Sequence, residues 1–141
     1  MNWDNLKYFK QSEFHRPSAQ QHYKVDDMDS AFMSKLESAR EYCGQYCNAN
    51  DLPLQPFIIT SGNRSVEHNQ QVGGKPDSTH LFGLAADIEA SNSRSRFLIV
   101  RSLLLAGFTR IEVAKDGHIH VDSGDKKDKG TWVPYVLWLN C

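Results

Sequence analysis

Two short stretches of this chain restrict its fold and its chemistry more than any other part of the sequence. Residues 78–87 contain His80 and Asp87, with a glycine between them. Residues 117–122 contain two histidines at positions i and i+2, which point to the same side of a sheet when they lie on a β-strand. One aspartate and two histidines are a common ligand set for catalytic zinc, whose fourth position stays open to water. The two stretches together predict a metal site carried by a sheet.

Each stretch also allows a purely structural role. Asp87 falls within the apolar segment 84–88, and a carboxylate buried there without a partner would be costly. A metal ion, an arginine or several backbone N–H groups would each satisfy it. His118, His120 and Asp122 would share one face of a strand, and the two imidazoles could be metal ligands or simply half-exposed residues of a sheet. Residue chemistry alone leaves both interpretations open.

The composition limits the class of protein. A chain of 141 residues suits a single domain over residues 1–141, and 40% hydrophobic with 23% charged residues is ordinary for a globular protein. A net charge of −1 argues against a nucleic-acid partner, and no apolar run approaches the length of a membrane helix. We therefore expect neither a nucleic-acid nor a membrane partner, and we also expect a monomer.

The start of the chain and its cysteines bear on the compartment. Residues 1–4 lack the basic flank and apolar run of a secretory signal, so we expect synthesis in the cytoplasm. The cysteines are odd in number, and Cys43 and Cys47 lie one helical turn apart, which argues against a disulfide framework. We expect these two thiols to pack in the core and Cys141 to lie in the tail.

Hydrophobic periodicity predicts an α+β fold, with a small, mainly antiparallel sheet and two long helices on one of its faces. The first long helix begins after Asp27 or Asp29. The second begins at Asn92 or Ser93, ends before Gly107, and has an apolar arc wide enough to be well buried against the sheet. A short helix is predicted at 65–71, and strands are predicted at 57–60, 84–88, 111–113 and 118–122, with a last one within 132–138.

The aromatic N-terminal arm is predicted to be attached to this domain by Phe9 and Phe14. The remaining histidines receive no metal role. His15 and His22 are interpreted as surface residues, and His68 as a helix residue that packs locally.

The pattern S-x-H-x-x-G-x-A-x-D at residues 78–87, followed by H-x-H at residues 118–120, resembles the signature of the zinc D-alanyl-D-alanine carboxypeptidase family. Relatives of that family include the vancomycin-resistance dipeptidases, the phage endolysin peptidases and the hedgehog signalling domain. Residues 60–74 are similar to the small, often phage-borne, branch of the family, and the likeness extends over about residues 5–122. The resemblance implies a hedgehog-like or DD-peptidase-like fold.

The resemblance also assigns roles to individual residues. It implies that His80, Asp87 and His120 bind Zn²⁺. It implies that Arg64 donates hydrogen bonds to the substrate carboxylate or to the carbonyl oxygen under attack. A planar, permanently charged guanidinium is suited to either task. Ser78 would contact the substrate or support the metal ligands.

The relatives differ in the residue that carries the proton. Some have a histidine two positions before the last zinc ligand, and His118 matches it. Others have an acid three positions before that ligand, where this chain has Gly117. Asp116 lies one position further away and could serve if the turn brings it inward. His118 is therefore the first candidate for the catalytic base and Asp116 the second.

The function implied by the resemblance is a zinc-dependent peptidase that hydrolyses peptidoglycan peptide bonds involving D-amino acids. It would act as a carboxypeptidase or as an endolysin-like endopeptidase, reaching the cell wall after lysis, through a holin or by virion delivery. Two other functions fit the same residues. One is a non-catalytic zinc module that binds cell-wall peptide or a partner protein, and the other is a phage structural or tail component that carries the fold.

Overall fold

The computed structural model describes residues 1–15, 27–63, 66–75, 78–126 and 133–140, with the backbone alone for residues 66–68. Arg64, His22, Cys141 and the side chain of His68, all singled out from the sequence, lie outside this description. The α-helices are α1 (Gln11–Phe14), α2 (Ser30–Ala49), α3 (Val66–Gln71) and α4 (Ser93–Leu105). The strands are β1 (Ile59–Ser61), β2 (Ala85–Glu89), β3 (Arg110–Ala114), β4 (His118–Asp122) and β5 (Val136–Asn140).

The five strands form one sheet in the order β1-β2-β4-β3-β5. All neighbouring pairs are antiparallel except β3 and β5, which are parallel. The α+β fold with a mainly antiparallel sheet is therefore confirmed. The register places Asp87 opposite His120, His120 opposite Glu112, and Glu112 opposite Trp138, so one row of side chains crosses four strands.

The two faces of the sheet have opposite character because strand side chains alternate. Ile119 and Val121 of β4 are fully buried in the core, together with the helix residues Phe32, Leu36 and Ile99. The histidines of β4 point to the other face and are only partly buried. The long helices α2 and α4 therefore cover the apolar face, and the row that contains His120 lies on the opposite, polar face.

The predicted ends of the two long helices are confirmed. At each start, where the sequence allowed two residues, the structure shows which one caps the helix. The carboxylate of Asp29 accepts from the backbone N–H of Phe32, and the side chain of Asn92 accepts from the N–H of Ser95. Gly107 follows the end of α4 with φ +96°, a backbone conformation that favours glycine. None of the described helices combines the length and the low polarity needed to cross a membrane.

Three expectations differ from the structure. Phe97, Leu104 and Leu105 of α4 are each more than half exposed, because the helix buries one stripe against α2 and β4 and leaves the rest of its wide apolar arc outside. The first and last strands begin later than predicted, at Ile59 and Val136. His15 is not a plain surface residue, since its ring is 17% exposed and bonded to the carboxylate of Asp27.

The N-terminal arm is attached to the core as predicted, and it also supports the polar face. Phe9 and Phe14 are buried, with ring centroids 5.6 Å apart. The carbonyl of Phe14 accepts from the N–H of Asn63, and the backbone of Phe14 lies so close to Gly62 that an added Cβ would be 2.7 Å from its Cα. The arm therefore fixes the turn that follows β1.

Candidate metal centre

His80, Asp87 and His120 meet on the polar face of the sheet, although they come from three different elements. Asp87 lies in β2 directly opposite His120 in β4. His80 lies in a short 3₁₀ turn, Thr79–Phe82, which the side chain of Ser78 caps and which ends at Gly83 with φ +67°. One ligand atom from each of the three residues lies within 4.8 Å of the other two. Within the described residues, this is the group with the chemistry and spacing of a metal site. These three side chains are called the metal cluster below.

The distances fit zinc coordination with a small adjustment. Nε2 of His80 is 3.4 Å from Oδ1 of Asp87, and Nδ1 of His120 is 2.8 Å from the same oxygen. Around tetrahedral zinc, with bonds of about 2.0–2.1 Å, ligand atoms lie about 3.4 Å apart. The first distance already matches, and the second would widen by about half an ångström. The donor set therefore suits Zn²⁺, with a nitrogen of each histidine and an oxygen of Asp87 as ligands.

The orientation of His80 is fixed by a backbone carbonyl. Its Nδ1 donates to the carbonyl oxygen of Gly62 at 2.6 Å, which turns Nε2 toward Asp87. The ring is almost fully buried, so this bond decides which nitrogen carries the proton. Metal-binding histidines commonly donate their second N–H to such a group, which fixes the tautomer.

The orientation of His120 is fixed by a carboxylate. Its Nε2 donates to Oδ2 of Asp122 at 2.9 Å, leaving Nδ1 toward Asp87. Oδ1 of Asp122 in turn accepts from Nε of Arg110 at 2.6 Å and from the N–H of Gly124 at 2.8 Å. Both side chains of this ion pair are buried. Asp122 therefore orients His120, and Arg110 holds Asp122 in place.

The pKa values show how strongly this region favours positive charge beside its carboxylates. Burial lowers the pKa of His120, but hydrogen bonds to Asp122 and Asp87 outweigh it and raise the pKa to about 9. Burial raises the pKa of Asp87, yet hydrogen bonds from His120 and His80 hold it well below its usual range. The pKa of Asp122 is lowered in the same way, chiefly by His120. Both carboxylates are thus ionised at neutral pH, and they favour any cation between them.

His118 and Asp116, the two alternatives for the proton carrier, are in direct contact. Nδ1 of His118 meets a carboxylate oxygen of Asp116, and Nε2 of His118 lies 3.9 Å from Oδ1 of Asp87. Asp116 is exposed, whereas the ring of His118 is about a quarter exposed. The structure therefore joins them into one pair, with the imidazole nearer the metal cluster and the carboxylate behind it.

A small cleft lies beside the cluster. It encloses about 160 Å³ and is lined by His120 and Asp122, by Ser78 and Lys75 from the loop before the 3₁₀ turn, and by Glu112 and Trp138. Ser78 is therefore near the metal cluster. Arg64, the other residue expected to contact the substrate, lies outside the described residues.

Sequence reasoning missed three residues that shape this site. Asp122 had a signal, because it shares a strand face with His118 and His120. No feature of the sequence indicated a role in this site for Arg110 or Trp138. An arginine at the start of a strand is ordinary, and the parallel pairing of β3 with β5 brings Trp138 to the cleft.

Comparisons with known proteins show to which family the chain is similar. The sequence profile described as peptidase M15 matches residues 7–122, which include every residue of the metal cluster and both members of the His118–Asp116 pair. A zinc D-Ala-D-Ala carboxypeptidase from Streptomyces albus G is 32% identical over 97 residues. That alignment covers 66% of this chain but only 34% of the relative, so the chain spans about a third of the relative's length. On the strength of the profile match, the chain belongs to the peptidase M15 family.

Proposed function

We propose that this protein is a zinc-dependent peptidase that hydrolyses peptidoglycan peptide bonds involving D-amino acids, as a carboxypeptidase or as an endolysin-like endopeptidase. The observation that carries the proposal is the cluster of His80, Asp87 and His120, with ligand atoms within 4.8 Å. Both histidines have their second nitrogen hydrogen-bonded, as in metal sites that are organised before the ion binds. The name of the Streptomyces relative supports the substrate class.

In this proposal His80, Asp87 and His120 hold the zinc ion on the polar face of the sheet. Zinc, when bound, lowers the pKa of a water molecule from ~15.7 toward ~7 and polarises the carbonyl of the scissile bond. The chain must then supply a proton carrier and donors for the charge that develops during the reaction.

The pair of His118 and Asp116 is placed for the proton transfer. Asp116 accepts the Nδ1–H of His118, so Nε2 of the imidazole faces the cluster and is able to take a proton. As the bond breaks, the same nitrogen would deliver that proton to the leaving amine. In this arrangement His118 is the general base and Asp116 positions it.

The substrate contacts are assigned to Arg64 and Ser78. The family resemblance supports Arg64 as the donor to the substrate carboxylate or to the oxygen under attack. Ser78 lines the cleft beside His120, and its hydroxyl oxygen already accepts from the N–H of His80. A substrate contact at Ser78 would therefore also act on the turn that carries His80.

The experiment combines metal analysis with digestion of purified peptidoglycan followed by mass spectrometry of the products. We expect one zinc ion per chain and the release of D-amino acids or of shortened peptides. His80→Ala and His120→Ala should each bind far less zinc and cleave nothing. His15→Ala is the matched control, because that ring bonds to Asp27 instead. Full zinc occupancy in both cluster variants would show that the ligands are wrong.

A different result would favour the binding module. Zinc bound at one ion per chain without cleavage of any peptidoglycan bond would indicate a non-catalytic domain that binds cell-wall peptide. The digestion products also identify the bond, since a carboxypeptidase releases a single terminal residue and an endopeptidase opens a crosslink or stem.

A further inference from the structure

One wall of the cleft is formed by a residue, Trp138, that has no role in the proposed metal site. Trp138 of β5 lines the cavity of about 160 Å³ together with Ser78 and Lys75. The match to the peptidase M15 family ends at residue 122, so β5 lies beyond the matched region. A strand outside that region therefore supplies a large aromatic surface to the cleft.

Trp138 lies in the same row of the sheet as two of the metal-cluster residues. Trp138 pairs with Glu112, and Glu112 pairs with His120. Two strand spacings amount to about 9.5 Å, yet the ring centroids of Trp138 and His120 are only 6.1 Å apart. The indole therefore leans along the sheet toward the metal cluster.

The indole is held in that position by charged neighbours. Its Nε1 donates to Oε2 of Glu112 at 2.5 Å, and the guanidinium of Arg110 lies 5.2 Å from its ring centroid. Arg110 is itself fixed by Asp122 and by the carbonyl of Val133, at 2.6 Å each. Because Glu112 takes the one N–H of the indole, the part of the ring that the Arg110 guanidinium does not cover offers an apolar surface.

We propose that Trp138 determines substrate specificity, by packing against a small aliphatic side chain of the substrate residue beside the scissile bond. This inference rests on the proposed peptidase function and names one contact of that site. All other residues that line the cleft are polar or charged, so the indole is the apolar surface that the cleft offers to a bound peptide. The cavity is smaller than the roughly 300–1,000 Å³ of ordinary ligand pockets, which favours a methyl or isopropyl group over an aromatic one.

The test compares two peptides that differ only in the residue beside the scissile bond, glycine or D-alanine. In the unmodified protein we expect kcat/KM to favour D-alanine by about tenfold, the lower end of what one methyl group contributes in a hydrophobic pocket. Trp138→Ala should abolish that preference by raising KM for the D-alanine peptide, while the glycine peptide changes less than about twofold. Trp138→Phe should keep most of the preference, because it keeps an apolar ring.

Leu137→Ala is the matched control, since Leu137 lies on the same strand but on the opposite face and is 55% exposed. It should leave both peptides unchanged. Equal losses for both peptides in Trp138→Ala, or an unchanged preference, would overturn the proposal. Zinc content and melting temperature are measured for every variant. If Trp138→Ala fails to fold, Trp138→Leu replaces it, and the same change of preference between the two peptides is required.

Failure of the peptidase function is distinguishable from failure of this inference. If the unmodified protein binds zinc but cleaves neither peptide, calorimetric titration with the same peptides measures their Kd instead. A preference for D-alanine that disappears in Trp138→Ala would support the contact without catalysis. The absence of any preference in the unmodified protein would overturn it.

Discussion

Each histidine of the metal cluster presents one particular nitrogen to Asp87 because its other nitrogen is already bonded within the protein. The carbonyl of Gly62 accepts from His80, and the carboxylate of Asp122 accepts from His120. These two bonds leave Nε2 of His80 and Nδ1 of His120 as the nitrogens that face Asp87, the atoms proposed to bind zinc. The geometry of the proposed site therefore depends on two residues, Gly62 and Asp122, that are not among its proposed ligands.

Asp122→Asn should weaken zinc binding by about 10–100-fold, the usual loss when the partner of a metal-binding histidine is changed. An amide has only one oxygen, which cannot serve both His120 and the buried Arg110 as well as the carboxylate does. The affinity is measured by competition with a chromophoric chelator. Asp51→Asn, in an exposed loop where φ is +54°, is the control for the loss of one negative charge. An affinity equal to that of the parent in Asp122→Asn would contradict the orienting role.

The pairing of His118 with Asp116 separates the two possible proton carriers. His118→Ala should keep zinc and lower kcat by about 10²–10⁴-fold, the usual contribution of general acid–base catalysis. Asp116→Ala should lower kcat less, because the exposed carboxylate only positions the ring. Both rates are measured on a peptide that the parent cleaves, with zinc content measured alongside. An inactive Asp116→Ala beside a fully active His118→Ala would reverse the two roles.

Arg64→Ala tests the substrate donor that the family resemblance assigns. It should leave zinc bound and lower the rate by about 10²–10³-fold, by analogy with the loss of an oxyanion-hole donor. Arg64→Lys should restore only part of the rate, since an ammonium cannot form two parallel bonds as a guanidinium does. Zinc content and kcat are measured on the same samples. A parent rate in Arg64→Ala would remove Arg64 from the mechanism.

At the scale of elements, the alternation of side chains along β4 gives the sheet one face that packs against the core and one face that carries the candidate metal site. Ile119 and Val121 enter the core, whereas His118 and His120 face away from it. This division was predictable, because a period of two is visible in the sequence. The register that sets Asp87 opposite His120 was not predictable, because β2 and β4 are not joined by a hairpin turn that would fix which of their residues pair.

The elements that sequence reasoning could not place depend on long-range pairing. The parallel pairing of β5 with β3 carries Trp138 to the cleft, and nothing in the local pattern of residues 136–140 indicates a direction or a partner. The exposure of Phe97 and Leu104 likewise follows from how α4 packs, since the apolar arc alone predicts burial. Local periodicity gives the type of an element, whereas its neighbours depend on tertiary packing.

The N-terminal arm and the turn after β1 form one support for His80. In Gly62→Ala the added Cβ would lie 2.7–2.8 Å from backbone and side-chain atoms of Phe14, so the turn must move. We expect a loss of about 1–3 kcal/mol in the free energy of unfolding, as for other overpacked sites, and weaker zinc binding because the carbonyl moves with the turn. Denaturant unfolding and chelator competition measure the two effects.

Gly44→Ala is the control for that substitution. Gly44 lies in α2, and the nearest neighbour of an added Cβ is the flexible end of Arg40 at 3.3 Å. Alanine favours a helix, so stability should stay the same or rise. If Gly62→Ala behaves like Gly44→Ala in both assays, the arm does not support the metal site.

At the scale of the whole molecule, the core and the metal cluster lie on opposite faces of one sheet. The core contains buried side chains from the arm, α2, α4 and four strands, and it includes none of His80, Asp87 or His120. Small zinc domains that unfold without metal lack such a core. We therefore expect this chain to fold before a metal binds.

Removal of zinc should consequently abolish activity while leaving a folded protein. At a free zinc concentration of one hundred times Kd, binding stabilises the native state by about 2.7 kcal/mol, or roughly 10 °C in melting temperature for a chain of this size. We expect the zinc-free protein to keep its circular dichroism spectrum and to unfold in a single cooperative transition, with a melting temperature lower by about that amount. Activity should return when zinc is added back. A zinc-free protein without a cooperative transition would show that the ion is part of the fold, because the ion would then be needed to hold the 3₁₀ turn of His80 against β2 and β4.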